Sequence, residues 1–126
     1  MQSNVIISIG SFNSAIAILL NAFGAHGLKG QLEPRWLEVF ETACRYHLWH
    51  GIGLILLGLL AQRLTQARCT LIASLMLIGI TLFSGSLYLL SITQLTWLGM
   101  ITPFGGLSFI SAWLLLGWSM RRALQP

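Results

Sequence analysis

From Cys69 to Met120 the chain carries no Asp, Glu, Lys or Arg. A water-soluble domain averages about 25% charged residues, and a stretch this long without one cannot face water. A helix needs about 20 residues, at about 1.5 Å each, to cross a hydrocarbon core of about 30 Å. The uncharged run therefore has room for two crossings and a tight connection. Residues 1–28 are also uncharged, and a third apolar run extends from Tyr46 to Gln62. Over 126 residues the chain is 56% hydrophobic and only 8% charged, which excludes a soluble enzyme, a disordered chain and a nucleic-acid binder.

These runs predict an all-α, integral membrane four-helix bundle in one domain, with spans at about residues 5–25, 43–61, 70–91 and 103–120. The first run lacks a basic leader and exceeds the usual apolar core of a secretory signal, so it reads as a span. Glu33-Pro34 and Thr102-Pro103 have the form of a helix start, with proline where its missing N–H costs nothing. Between Arg35 and Thr42, Glu38 and Glu41 share one side, while Trp36, Leu37 and Phe40 lie mostly on another. This predicts a short interfacial amphipathic helical stretch leading into span two, with a break near Thr42 left open. Gly24, Gly27 and Gly30 predict a flexible or tightly turned link before it.

Four spans put the N-terminus, the second loop and the C-terminus on one side, together with Arg63, Arg68, Arg121 and Arg122. The opposite side has Lys29 and Arg35, with Arg45 near its boundary. The excess of arginine predicts cytoplasmic termini. Trp97 and Trp118, near span ends, suit interfacial anchors. Cys44 and Cys69 would sit a bilayer apart and form no disulfide with each other.

Polar residues inside lipid mark the faces where helices meet. Gly10, Asn13, Ser14, Ala17, Asn21 and Gly24 form one stripe on span one. Ser74, Thr81, Gly85 and Tyr88 repeat it on span three, and Gly105, Ser108, Ala112 and Ser119 on span four. Asn13, Asn21 and Tyr88 are the candidate buried polar residues. The plain expectation is close helix packing; the sharper one is a polar cavity holding a ligand. A second cluster, of His26, Glu41, Arg45, His47 and His50, should gather at the outer boundary, with Glu41 and Arg45 paired at i,i+4. Three histidines at one depth would allow a metal or haem, but no HExxH, CxxC or carboxylate-rich cluster supports it, so neither metal nor cofactor is expected. Asp is absent, and no nucleophile elbow, phosphate loop or dinucleotide fingerprint occurs, so no catalytic residues are expected.

Four blocks carry a resemblance. They are Ala22-Phe23-Gly24-Ala25-His26-Gly27-Leu28; Ala43, Tyr46 and His50; Phe83-Ser84-Gly85-Ser86-Leu87-Tyr88; and Thr102-Pro103-Phe104-Gly105-Gly106. In this order they resemble the small inner-membrane proteins of the domain of unknown function 423 family, over nearly the whole chain. The resemblance implies a compact, multi-pass bacterial inner-membrane protein and supplies no catalytic or cofactor residue. One departure is Ala112-Trp113 where the family pattern has Gly-Trp, which predicts a slightly looser helix contact there.

Four roles are therefore open. The first is a non-enzymatic accessory module, whose partners are the lipid bilayer and, through its small-residue faces, a second copy or a larger membrane complex. The second is a binder or carrier of a small amphiphile, a lipid or quinone, between the helices. The others are a haem or metal protein and an ion channel, against which stands the near absence of ionisable groups within the spans.

Overall fold

The computed structural model describes residues 1–123, and among them every regular element is helical. Helix α1 (Ser3–Phe23) passes without a break into a π-helical turn at Gly24–Leu28. A tight link follows, in which Gly30 adopts φ +87°, and Pro34 then opens α2 (Pro34–Leu59) at its first position. A short 3₁₀ turn at Ala61–Arg63 leads to α3 (Gln66–Gly79), where Thr65 accepts the Arg68 backbone N–H as N-cap. A second π-helical turn, Ile80–Gly85, joins α3 to α4 (Ser86–Thr93) in one rod. Gln94, in the left-handed region at φ 57°, ends that rod; a 3₁₀ turn at Thr96–Met100 then precedes α5 (Thr102–Ala123).

Three helical stretches, Ser3–Leu28, Gln66–Thr93 and Thr96–Ala123, are long and apolar enough to cross a membrane. Helix α2 has the length, but Arg45, His47 and His50 lower its hydropathy. It is one uninterrupted helix through Thr42, so the break left open there does not occur and the stretch from Arg35 to Thr42 is the first part of α2 itself. The Thr42 hydroxyl returns to the Glu38 carbonyl within the helix, and nothing interrupts the ladder. Trp36 and Phe40 are buried in the bundle, and Phe40 meets Gly24 of α1 and the Tyr88 ring of α4.

The two ends of the bundle differ in charge. Met1, Gly58, Thr70 and Ser119 meet at one end: the Met1 ammonium donates to Thr70 Oγ1, Ser3 Oγ to the Gly58 carbonyl, and Arg68 to Ser119 Oγ. This arginine end holds Arg63, Arg68, Arg121 and Arg122. The other, glutamate end holds Glu33, Glu38 and Glu41. The aliphatic core lies toward the arginine end, where Ile6, Leu57, Ile72, Met76, Ala112 and Leu116 pack together. Ala112 is completely buried, on the inward face of α5.

Large apolar side chains such as Phe12, Leu19, Met100 and Leu114 point outward, while Ser84, Ser91, Ser108 and Ser119 are buried. That distribution inverts a soluble fold and is what lipid as solvent requires. The α1–α2 seam shows why small residues line it: a Cβ added at Gly10 would stand 2.6 Å from the Gly51 carbonyl oxygen. Hydroxyls at Ser14, Ser74 and Thr81 bond back to carbonyls four residues earlier, so they need no partner across the interface. Thr102, at the start of α5, shares its hydroxyl with Ser86 of α4 at 2.6 Å.

Candidate functional site

Helix α2 carries the chemistry of the interior, because its two buried histidines face different neighbours. His47 looks toward α1 and α4. Its Nε2 lies 3.1 Å from Asn13 Oδ1, and its Nδ1 lies 3.0 Å from the Tyr88 hydroxyl. The Asn13 amide nitrogen donates to the Ile9 carbonyl, which fixes its oxygen toward His47. His47 Nε2 therefore carries the proton and donates to Asn13, while the Tyr88 hydroxyl donates to Nδ1 of the neutral ring. Three helices are tied by this one side chain.

His50, one turn along, looks toward α5. The Trp113 indole N–H donates to its Nε2 at 3.0 Å, and its Nδ1 lies 2.6 Å from the Tyr46 carbonyl. An indole can only donate and a carbonyl can only accept, so His50 is the neutral Nδ1–H tautomer. The imidazole also stacks on Phe109, with ring centroids 3.4 Å apart and planes 10° from parallel. Gly53 leaves room for Trp113, whose ring a Cβ there would approach to 3.1 Å.

Tyr46, Trp49, His50, Phe83, Gly106, Phe109, Ile110, Trp113 and Leu114 surround an open trough of about 510 Å³ between α2 and α5. Its wall is almost wholly apolar, since His50 and Trp113 spend their polar atoms on each other and on the Tyr46 carbonyl. Phe83 enters from the second π-helical turn, and Gly105 beneath it lets α5 approach the Phe83 backbone. In the same turn the Ser84 hydroxyl is fully buried with no hydrogen-bond partner among the described residues.

The predicted outer cluster does not assemble. His26 is exposed on the first π-helical turn. Gly24 packs level with Phe40 and Gly10 level with Gly51, so His47 lies roughly 15 Å deeper than His26 at about 1.5 Å per residue. His26 and His50 do not meet, and both His50 nitrogens are engaged by Tyr46 and Trp113. Glu41 and Arg45 are exposed, and Arg45 donates to Thr42 Oγ1 at 3.2 Å instead of pairing with Glu41. Exposed i,i+4 pairs contribute only about 0.3–0.5 kcal/mol, too little to hold two long side chains together. Of the stripe on α1, Asn13 is bonded in the interior, whereas Asn21 is exposed beside a shallow recess shared with Ala17, Cys44 and Arg45. Cys44 and Cys69 are buried free thiols. No group of three His, Cys, Asp or Glu among the described residues is placed to hold a metal ion.

The family model of DUF423, described as a protein of unknown function, matches residues 20–106. The chain belongs to the DUF423 family. The matched segment contains His47, His50, Tyr88 and both π-helical turns, and stops within the first turns of α5, before Phe109 and Trp113. Curated relatives reach further. The UPF0382 membrane protein YwdK of Bacillus subtilis is 45% identical over 113 residues, spanning 89% of this chain and 92% of the relative. UPF0382 membrane proteins of Staphylococcus epidermidis and Staphylococcus saprophyticus are 43% and 42% identical, each across 89% of this chain and 91% and 92% of their own lengths. No solved structure matches the chain. Membership of the family and its membrane character are thus established together.

Sequence reasoning missed the partner of His50. Trp113 and Phe109 are four apart, with Gly106 three before Phe109, and that aromatic stripe at helical spacing was the available signal.

Proposed function

We propose that this DUF423 protein is a non-enzymatic, four-span module of the bacterial inner membrane, with both termini cytoplasmic, which holds the tail of a small amphiphile in the trough between α2 and α5. Helix α2 is the fourth span: its histidines satisfy their nitrogens on neighbouring helices, which removes the cost that depresses its hydropathy. The arginine end is the cytoplasmic one by the positive-inside rule. The observation that carries the binding role is the trough itself. Its volume lies within the roughly 300–1,000 Å³ of ligand sites. Its wall has no unpaired polar group to satisfy, so its natural occupant is an acyl or isoprenoid tail.

The test is native mass spectrometry of the full chain extracted from membranes in mild detergent. A copurifying amphiphile is expected. Gly106→Leu should expel it, because a Cβ at Gly106 meets only Phe83 ring carbons, at 3.7 and 3.9 Å, and the rest of the side chain fills the trough. A wild-type protein that retains no small molecule, and whose photo-crosslinker at position 113 couples only to another protein, would replace this proposal with one of a helix-docking face in a homo-oligomer or larger complex.

A further inference from the structure

The arginine end contains a second recess. Arg63 in the turn after α2, Arg68 in the first turn of α3, and Arg122 in the last turn of α5 border a cleft of about 300 Å³ with Thr65 and Ser119. No acidic side chain occurs after Glu41, and all three glutamates lie at the other end of the bundle. Three guanidinium groups therefore line one cleft with no carboxylate side chain to balance them. Their placement is partly fixed: Arg68 is half-buried and donates to Ser119 Oγ at 3.0 Å, and Arg122 lies over the Trp118 ring, 5.3 Å from its centroid.

We infer that this cleft binds the phosphate of an anionic phospholipid in the adjoining leaflet. Guanidinium forks match phosphate oxygens two at a time, and three of them supply more donors than one phosphate needs. A free phosphate shares that chemistry. The lipid is chosen because the arginines sit where the helices leave the apolar spans, the level at which headgroup phosphates lie, and because Leu64 and Ala123 give the cleft an apolar lip. The cleft shares no residue with the trough, so it stands or falls independently of that site.

The experiment measures lipid retention by native mass spectrometry on the full chain, titrated separately with phosphatidylglycerol, phosphatidylcholine and inorganic phosphate. Phosphatidylglycerol should be retained at least about fivefold better than phosphatidylcholine, and millimolar phosphate should not displace it. Arg63→Gln and Arg68→Gln should each lower that retention by about fivefold, the effect of one arginine near an anionic surface. Arg63 is exposed, so its replacement tests the site with the Arg68–Ser119 contact intact. Equal retention of the two lipids, or no loss in the Arg63→Gln protein, would overturn the inference. Displacement of phosphatidylglycerol by inorganic phosphate would overturn the lipid assignment and leave a free-anion site.

Discussion

The Trp113 indole donates to Nε2 of His50, while one turn away on the same helix His47 uses its own Nε2 to donate to Asn13. Two neutral histidines three residues apart thus hold opposite tautomers, each dictated by partners of fixed hydrogen-bonding sense. Nitrogen-15 NMR of protein labelled at histidine should show His50 protonated at Nδ1 and His47 at Nε2. A common tautomer for the two rings would refute the assignment of partners.

Replacing Trp113 by Phe keeps an aromatic ring over Gly53 and removes the N–H, leaving His50 Nε2 without its donor. Between membrane helices the loss of such a contact costs about 0.6 kcal/mol and no more than about 1.7. Unfolding of Trp113→Phe in mixed micelles should show a loss in that range. In a His50→Phe background, where no acceptor is left, the same replacement should cost clearly less.

Asn13→Ala and Tyr88→Phe remove the two partners of His47 from opposite sides. Each should destabilise the protein modestly, about 0.6 kcal/mol and no more than about 1.7, as for polar contacts between membrane helices. Because both act on one imidazole, the double variant should depart from additivity. Strict additivity in the unfolding cycle would show that His47 does not couple α1 to α4.

Gly79 packs under Phe109, and a Cβ there would overlap the ring. Phe109 is held by the stacked His50 and cannot swing away. Gly79→Ala should therefore cost about 1–3 kcal/mol, the usual penalty for overpacking. Gly117 has nothing within 4 Å of an added Cβ, so Gly117→Ala should be neutral or stabilising by up to about 1 kcal/mol through helix propensity. The pair is read out by unfolding in mixed micelles.

Cysteines placed at Lys29 and Gln94 lie at the glutamate end, and one placed at Arg63 lies at the arginine end. In intact cells a membrane-impermeant maleimide should label the first two, while Arg63→Cys should react only after permeabilisation. Cys44 and Cys69 are buried and give little background. The reverse pattern would invert the proposed orientation.

The helical class and the positions of three crossings were legible because uncharged length is a direct measure of fit to a bilayer. Gly105, Ser108, Ala112 and Ser119 were legible as a buried face because one 3.6-residue period governs them all. The arrangement of the histidines was not. Position along a helix gives direction, but His47 and His50 find their partners, Asn13, Tyr88 and Trp113, on three other helices, and no local period encodes which helix stands where. The π-helical turns hid for a related reason. Each inserts an extra residue into the period, so a regular stripe drawn through Thr81 and Tyr88 passes from an exposed side chain to a half-buried one.

The bonds around His50 all run in one sense, from the indole N–H to the imidazole and from the imidazole N–H to a carbonyl. Trp113 has a proton to share but no lone pair with which to take one back, and the Tyr46 carbonyl has only lone pairs. A proton hopping along this line could not be followed by a second, because the line has no way to reset its polarity. Its contribution is mechanical: it behaves as a rivet between two rods and not as a wire through the membrane.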